Sequence, residues 1–290
     1  MQTPFEEVGG STWTTWEPMV DFIHALADSS DRAEVVQLGR SLHDRPIYAV
    51  AVGYPFPRLD GPVAFHVAGQ HGNEVGGHEG ALAQARDLTE TTDPVAVATL
   101  QRVTWLILPS ASPDTMALSK FNSLGLNLNR DHQLRTLPEA RAIAKALFNY
   151  RPCLTLDSHS SVITQDFVAI DTNPQLGHHP AVADMSARVL EAIVVALESR
   201  GMTFLEFQGR GKDLPDVLSN AAAFAHSASI LLESSRHADP LHEQATIKIV
   251  MDAAHAFLGE HLDDMVNASN LSRSALVTPT VVSRSSLTFP

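Results

Sequence analysis

Apolar residues recur at helical spacing from Trp16 to Ala27, where Trp16, Met19, Val20, Ile23, Leu26 and Ala27 share one face. Two short strands follow near Glu34–Leu38 and Ile47–Val52, with a polar turn around His43–Arg45 between them. Val63–Ala68 reads as a buried strand. It breaks at Gly69 and leads through QHGNEVGG into a helix from about His78 to Leu88. Val103–Leu108 is another strand, and Ser110 to Arg135 is mostly irregular.

Thr136-Leu-Pro-Glu139 has the form of a capping box and predicts a helix running to about Tyr150. Strands are expected at Leu154–Asp157, Phe167–Ile170, Thr203–Phe207 and Ser229–Leu232. Helices are expected at Ala181–Ser199, about Leu214–Ala225 and about Leu241–Leu258, and a flexible loop at Gly209–Gly211. Strands alternate with helices and no composition shift marks a linker. The expectation is therefore one α/β domain over residues 1–265. Its central sheet is mixed and mostly parallel, of about eight strands, with helices on both faces. Residues 266–290 are Ser/Thr-rich with a VTPTVV patch and are expected as a loose tail or an added strand.

Composition narrows the function. The 290 residues carry 20 Lys plus Arg against 33 Asp plus Glu, a net charge of −13. That balance disfavours nucleic acid and anionic lipid as partners, but still allows a local basic pocket for a small anion. A single cysteine, Cys153, excludes an internal disulfide framework and a multi-cysteine zinc site. The start MQTPFEEVGG lacks a secretory pattern and no window is apolar enough to span a membrane, so a cytoplasmic location is expected. Oligomeric state leaves no mark on the sequence.

In an open α/β sheet, ligands bind beyond the carboxyl ends of the strands. His71 and Glu74 follow Val63–Ala68, His159 follows Leu154–Asp157, and Glu233 closes Ser229–Leu232. Two imidazoles and one carboxylate can hold zinc with a fourth position open to water. The remaining carboxylate, Glu233, could then be the general base. Ordinary alternatives stand beside each residue. His159 could be a structural histidine, Glu233 could pair with Arg236, and Arg130 with Asp131. A rival set of His71, Glu74 and His78 ranks low, because Gly76 and Gly77 argue against a continuous helix there. Asp157, two residues before His159 on the same strand face, could accept the far ring N–H of a ligating His159 or be a plain structural acid.

Five pieces in order carry a resemblance: GQHGNE (69–74), SPDT (112–115), GLNLNRDH (125–132), LDSHSS (156–161) and ILLESS (230–235). With GRSLHDRPIYAVAVG (39–53) and PEARAIAKAL (138–147), the chain resembles the zinc metallocarboxypeptidases over roughly residues 14–260. More loosely, it is similar to the aspartoacylase and succinylglutamate desuccinylase branch of that fold. The resemblance implies one Zn2+ per chain on His71, Glu74 and His159, and Glu233 as the catalytic glutamate. It implies that Asn129 and Arg130 grip a substrate's terminal carboxylate, as a guanidinium fork and an amide donor can.

The chain departs from that pattern in two places. No arginine lies between Asp114 and Asn129, where the family places the one that polarises the scissile carbonyl. Lys120 is the substitute on offer, unless Arg130 does both jobs. No tyrosine lies between His159 and Glu233; the loop Gly209–Asp213 is there instead, and Arg210 or Lys212 could contact an anionic substrate. The expected function is zinc-dependent hydrolysis of an amide next to a free carboxylate, on a small peptide. The alternatives are an N-acyl-amino-acid deacylase of the aspartoacylase type and, in a different class, a zinc-binding but inactive binding module. The retained Glu233 argues against the last.

Overall fold

The structure, a computed structural model, describes residues 1–171, 178–207, 214–236 and 239–275. The run at Val63–Ala68 is strand β3, buried on both faces. Ala64 and Ala68 pack into one apolar cluster, whereas Val63, Phe65 and Val67 pack into another on the opposite side. This is the two-residue period of a strand sandwiched between helical layers, and it explains why the run reads as apolar without alternation.

The other strands are β1 (Ala33–Arg40), β2 (Pro46–Val52), β4 (Thr104–Leu108), β5 (Leu154–Ser161), β6 (Phe167–Asp171), β7 (Phe204–Phe207) and β8 (Ala228–Ser235). They form one sheet in the order β1-β2-β4-β3-β5-β8-β6-β7. The centre, β4-β3-β5-β8, is parallel, while β1-β2, β2-β4 and β6-β8 pair antiparallel. Helices α2 (Trp16–Ser29), α3 (Val75–Glu90), α6 (Pro180–Ser199) and α8 (Pro240–Ala275) supply the first cluster, with Trp105 and Ile107 of β4. Helices α5 (Pro138–Tyr150) and α7 (Leu218–Phe224) supply the second, with Leu106 and Leu108. Full burial of such a side chain contributes about 1.5–3 kcal/mol, so the two clusters together hold the sheet against its covers. The expected α/β fold with a mixed sheet and helices on both faces is the one observed.

Several local expectations are corrected. The capping box at Thr136 and Glu139 does not form. Asp131 takes the Thr136 hydroxyl at 2.7 Å and the Leu137 N–H at 2.6 Å, and Glu139 Oε1 accepts instead from Leu42 N. A capping box does close a helix that the apolar pattern did not show, α1 (Pro4–Glu7), through Thr3 and Glu6. A further short helix, α4 (Pro94–Leu100), is capped by Asp93. Helix α3 starts at Val75 and runs through Gly76 and Gly77. Gly76 is needed there because a Cβ would collide with the buried Glu243 carboxylate. Residues 266–275 continue helix α8, burying Ala268, Ser269 and Ser272, where a loose tail or an added strand was expected. The rest of that segment, 276–290, lies outside the described residues, as does the loop holding Arg210 and Lys212.

Candidate metal centre

After β3 the chain moves first to β4 on one side, then to β5 on the other. Strands β3 and β5 therefore flank the point where the strand order reverses. At the end of β3, Gly69 turns the chain with a φ of +67°, a conformation suited to glycine, and packs directly against the His78 ring. The turn delivers His71 and then Glu74, which precedes α3 with non-helical φ −95° and ψ 70°. Glu74 thus stands off the helix that carries His78, and the rival trio does not assemble. Among the described residues, His71, Glu74 and His159 are the group able to hold a metal ion, with ligand atoms within 4.8 Å of one another.

The three are buried and aimed at each other. His71 Nδ1 lies 2.8 Å from Glu74 Oε1, and His159 Nδ1 lies 2.7 Å from Glu74 Oε2. The ring centroids are 4.9 Å apart. The outer nitrogens are also held. His71 Nε2 meets Asn127 Oδ1 at 2.8 Å, and His159 Nε2 meets Asp157 Oδ1 at 3.1 Å and Asn129 Nδ2 at 2.9 Å. Two Nδ1 atoms and a carboxylate on one side, with hydrogen-bonding partners behind the rings, is the donor set that suits zinc.

Electrostatics agree with a cation site. Burial opposes the charge on Glu74, but hydrogen bonds from His159 and His71 outweigh it and hold the carboxyl below its usual range. Burial would lower His159, yet Asp157 and then Glu74 raise it well above the usual imidazole value. A positive charge among these groups is therefore stabilised by the fold itself.

Strand β5 extends to Ser161, so His159 sits within it, and in the β5-β8 register His159 lies opposite Glu233. Both residues stand on one sheet face. Glu233 is half-buried, and burial raises its pKa despite the facing His159 and the Ser161 hydroxyl, which donates to Oε2 at 2.7 Å. Arg236 does not pair with Glu233. Its Nη2 lies 3.7 Å from Glu74 Oε1 and donates to Asn73 Oδ1 at 3.1 Å. Asn129 is buried, with Oδ1 accepting from Leu218 N at 2.8 Å and Nδ2 against His159. Arg130 is exposed and turned to the Asn129 carbonyl, not to Asp131, whose oxygens Thr136 and Leu137 occupy. Lys120 is exposed and makes no side-chain hydrogen bond or ion pair among the described residues.

Sequence reasoning missed Gln70, Asn127 and His132. Gln70 Nε2 donates to Asp157 Oδ1 at 2.5 Å, while Gln70 Oε1 meets His132 Nε2 at 2.5 Å. Asn127 and His132 sit inside the GLNLNRDH segment, whose polar density was the available signal.

Residues 19–160 match the zinc carboxypeptidase family. Among solved structures, the metallo-carboxypeptidase from Burkholderia cenocepacia is similar at TM-score 0.70 and 21% identity, over 85% of this chain and 69% of that one. A metallo-carboxypeptidase from Pseudomonas aeruginosa in complex with (2-guanidinoethylmercapto)succinic acid matches at TM-score 0.70 and 16% identity, over 86% and 69%. Bovine thrombin-activatable fibrinolysis inhibitor, in complex with tick carboxypeptidase inhibitor, matches at TM-score 0.67 and 15% identity, over 88% and 98%. No match is found among curated proteins. At these identities the solved structures establish the fold, a zinc carboxypeptidase-like one, and the stretch that matches the zinc carboxypeptidase family spans a little under half of the chain.

Proposed function

We propose that the protein is a metallocarboxypeptidase that cleaves an amide bond next to a free carboxylate. The observation that carries this reading is the convergence of His71, Glu74 and His159 with Glu233 beside them in register. His71 and His159 would hold zinc through Nδ1 and Glu74 through its carboxylate, the nitrogens being already within 2.8 Å of that carboxylate. The metal supplies Lewis acidity and a water that is acidic near neutral pH.

The chain's own groups do the rest. Ser161 occupies Oε2 of Glu233, which leaves Oε1 to take the proton from the attacking water and return it to the leaving amine nitrogen. The raised pKa suits a group that must first accept and then donate. Arg130, exposed beside the site, receives the substrate's carboxylate, with the Asn129 amide adjoining it, and so turns binding into positioning. Lys120 and Arg236 are the other cations for the carbonyl oxygen, and Arg236 Nη2 lies 3.7 Å from Glu74 Oε1. Arg210 is a further candidate for an anionic substrate. The succinic acid derivative bound by the Pseudomonas aeruginosa protein is a dicarboxylate, which fits a family site built for carboxylates.

The test is a zinc-loaded preparation assayed on C-terminal peptides and on N-acyl amino acids. Release of C-terminal amino acids from peptides is expected. Turnover of N-acyl amino acids alone would mark a deacylase, and no amine released from either would mark a binding module. Glu233→Gln should keep one zinc per chain and lose turnover by about 10²–10⁴-fold. Wild-type turnover in that variant would remove Glu233 from the reaction.

A further inference from the structure

The net charge of −13 makes any concentration of arginine conspicuous, and one lies along the second half of α5. A cavity of about 410 Å³ opens between the second half of α5, the 132–135 turn, the end of α7 and the end of α8. Arg135, Arg151 and Arg273 line it, with His226, and its apolar wall includes Leu147 and Phe148.

None of the three arginines meets a carboxylate within ion-pair distance among the described residues. Their hydrogen bonds go to neutral acceptors. Arg135 Nε donates to the His132 carbonyl at 3.2 Å, Arg273 Nη2 to the Arg151 carbonyl at 3.1 Å, and Arg273 Nη1 to Asn270 Oδ1 at 3.4 Å. Burial and the neighbouring Arg151 lower the Arg273 pKa, as expected of cations crowded without a counter-charge. Cations gathered at a concave wall, with no acid among the described residues to neutralise them, favour an external anion. The volume fits a small organic molecule, and the apolar wall would cover its body.

We propose that this cavity binds a small organic carboxylate with an apolar body, its carboxylate held by Arg151 and Arg273 and its body against Leu147 and Phe148. The cavity lining includes none of His71, Glu74 and His159. Buried His132 forms part of the cavity wall and, through Gln70, part of the hydrogen-bond network behind His159.

The test is calorimetric titration of the zinc-loaded full chain with 3-phenylpropanoate, with 3-phenylpropanol as the neutral counterpart. A carboxylate could also bind at the metal centre, so the titration is repeated after chelation of the zinc. Saturable binding that survives chelation is expected. The double variant R151Q/R273Q should weaken it by about tenfold or more, the loss of a charge-assisted contact. R151K/R273K keeps the charge and should retain most of it, which separates anion binding from damage to the fold. The alcohol should bind at least as weakly as the acid binds the double variant. Equal isotherms for wild type and R151Q/R273Q, or no saturable binding after chelation, overturn the proposal.

Discussion

Two regions of the sheet, on the neighbouring strands β3 and β5, each bury a histidine and put it to opposite use. In the middle of β3, His66 is fully buried, with Nδ1 2.7 Å from Gln84 Oε1 and Nε2 2.7 Å from Ser158 Oγ. Burial is the largest influence and lowers its pKa from 6.5 to about 4. At the end of β5, His159 is equally buried, but Glu74 and Asp157 stand against its two nitrogens and its pKa rises. Neutral partners make a structural histidine, and carboxylate partners make one that welcomes a cation. The difference lies in the neighbours, not in the residue or its depth.

The largest expected effect breaks the second region. His159→Ala leaves Glu74 and His71 as a two-ligand set, so bound zinc should be lost on dialysis, and hydrolysis with it. Metal analysis of the purified variant checks this; one zinc per chain would exclude His159 as a ligand. A milder change sharpens the same comparison. Asp157→Asn removes the charge behind the His159 ring but keeps its shape, and should weaken zinc affinity by about 10–100-fold in competition with a chelator. An unchanged affinity would make Asp157 a structural acid at a strand end. Zinc affinity of the wild-type chain should also fall as pH falls, because His159 must give up its proton to bind and its raised pKa makes that proton harder to remove. Competition titrations at three pH values measure it.

This contrast also explains what the sequence could reveal. The group His71, Glu74 and His159 was legible because β3, β5 and β8 carry short apolar runs, and the polar residues that follow those runs stood out against them. The parallel register that brings Glu233 opposite His159 follows from those same strands. Less legible were interactions in which one side chain chooses among several partners. Asp131 was free on paper to pair with Arg130, yet it holds Thr136 and Leu137 and so also dissolves the expected capping box. Arg236 prefers Glu74 to the nearer-in-sequence Glu233. Helix α8 continues to Ala275 because Ala268 and Ser272 find burial against the domain, which Ser/Thr-rich composition does not announce. His66 was hidden inside an apolar run, and its acceptor Gln84 lies on a different element.

The smallest expected effect tests the first region. His66 is neutral in the fold, whereas in the unfolded chain it binds a proton below about pH 6.5. Its folded pKa is depressed, so its contribution to stability is complete above 6.5 and is lost as pH falls towards about 4. That interval corresponds to roughly 3 kcal/mol. His66→Gln can still reach Ser158 or Gln84 but does not titrate. At pH 7 it should cost about 1–2 kcal/mol for one hydrogen bond lost. On acidification to pH 4.5 that deficit should shrink or reverse, since only the wild type pays for keeping His66 neutral. His78, His132 and His178 are also lowered to about 4, and they impose the same acid sensitivity on both proteins, so it cancels in the difference. Urea unfolding of both zinc-free proteins across this range makes the comparison. Parallel stability curves would show that His66 does not titrate on unfolding. Loss of zinc binding by His66→Gln would show that the two regions are not independent.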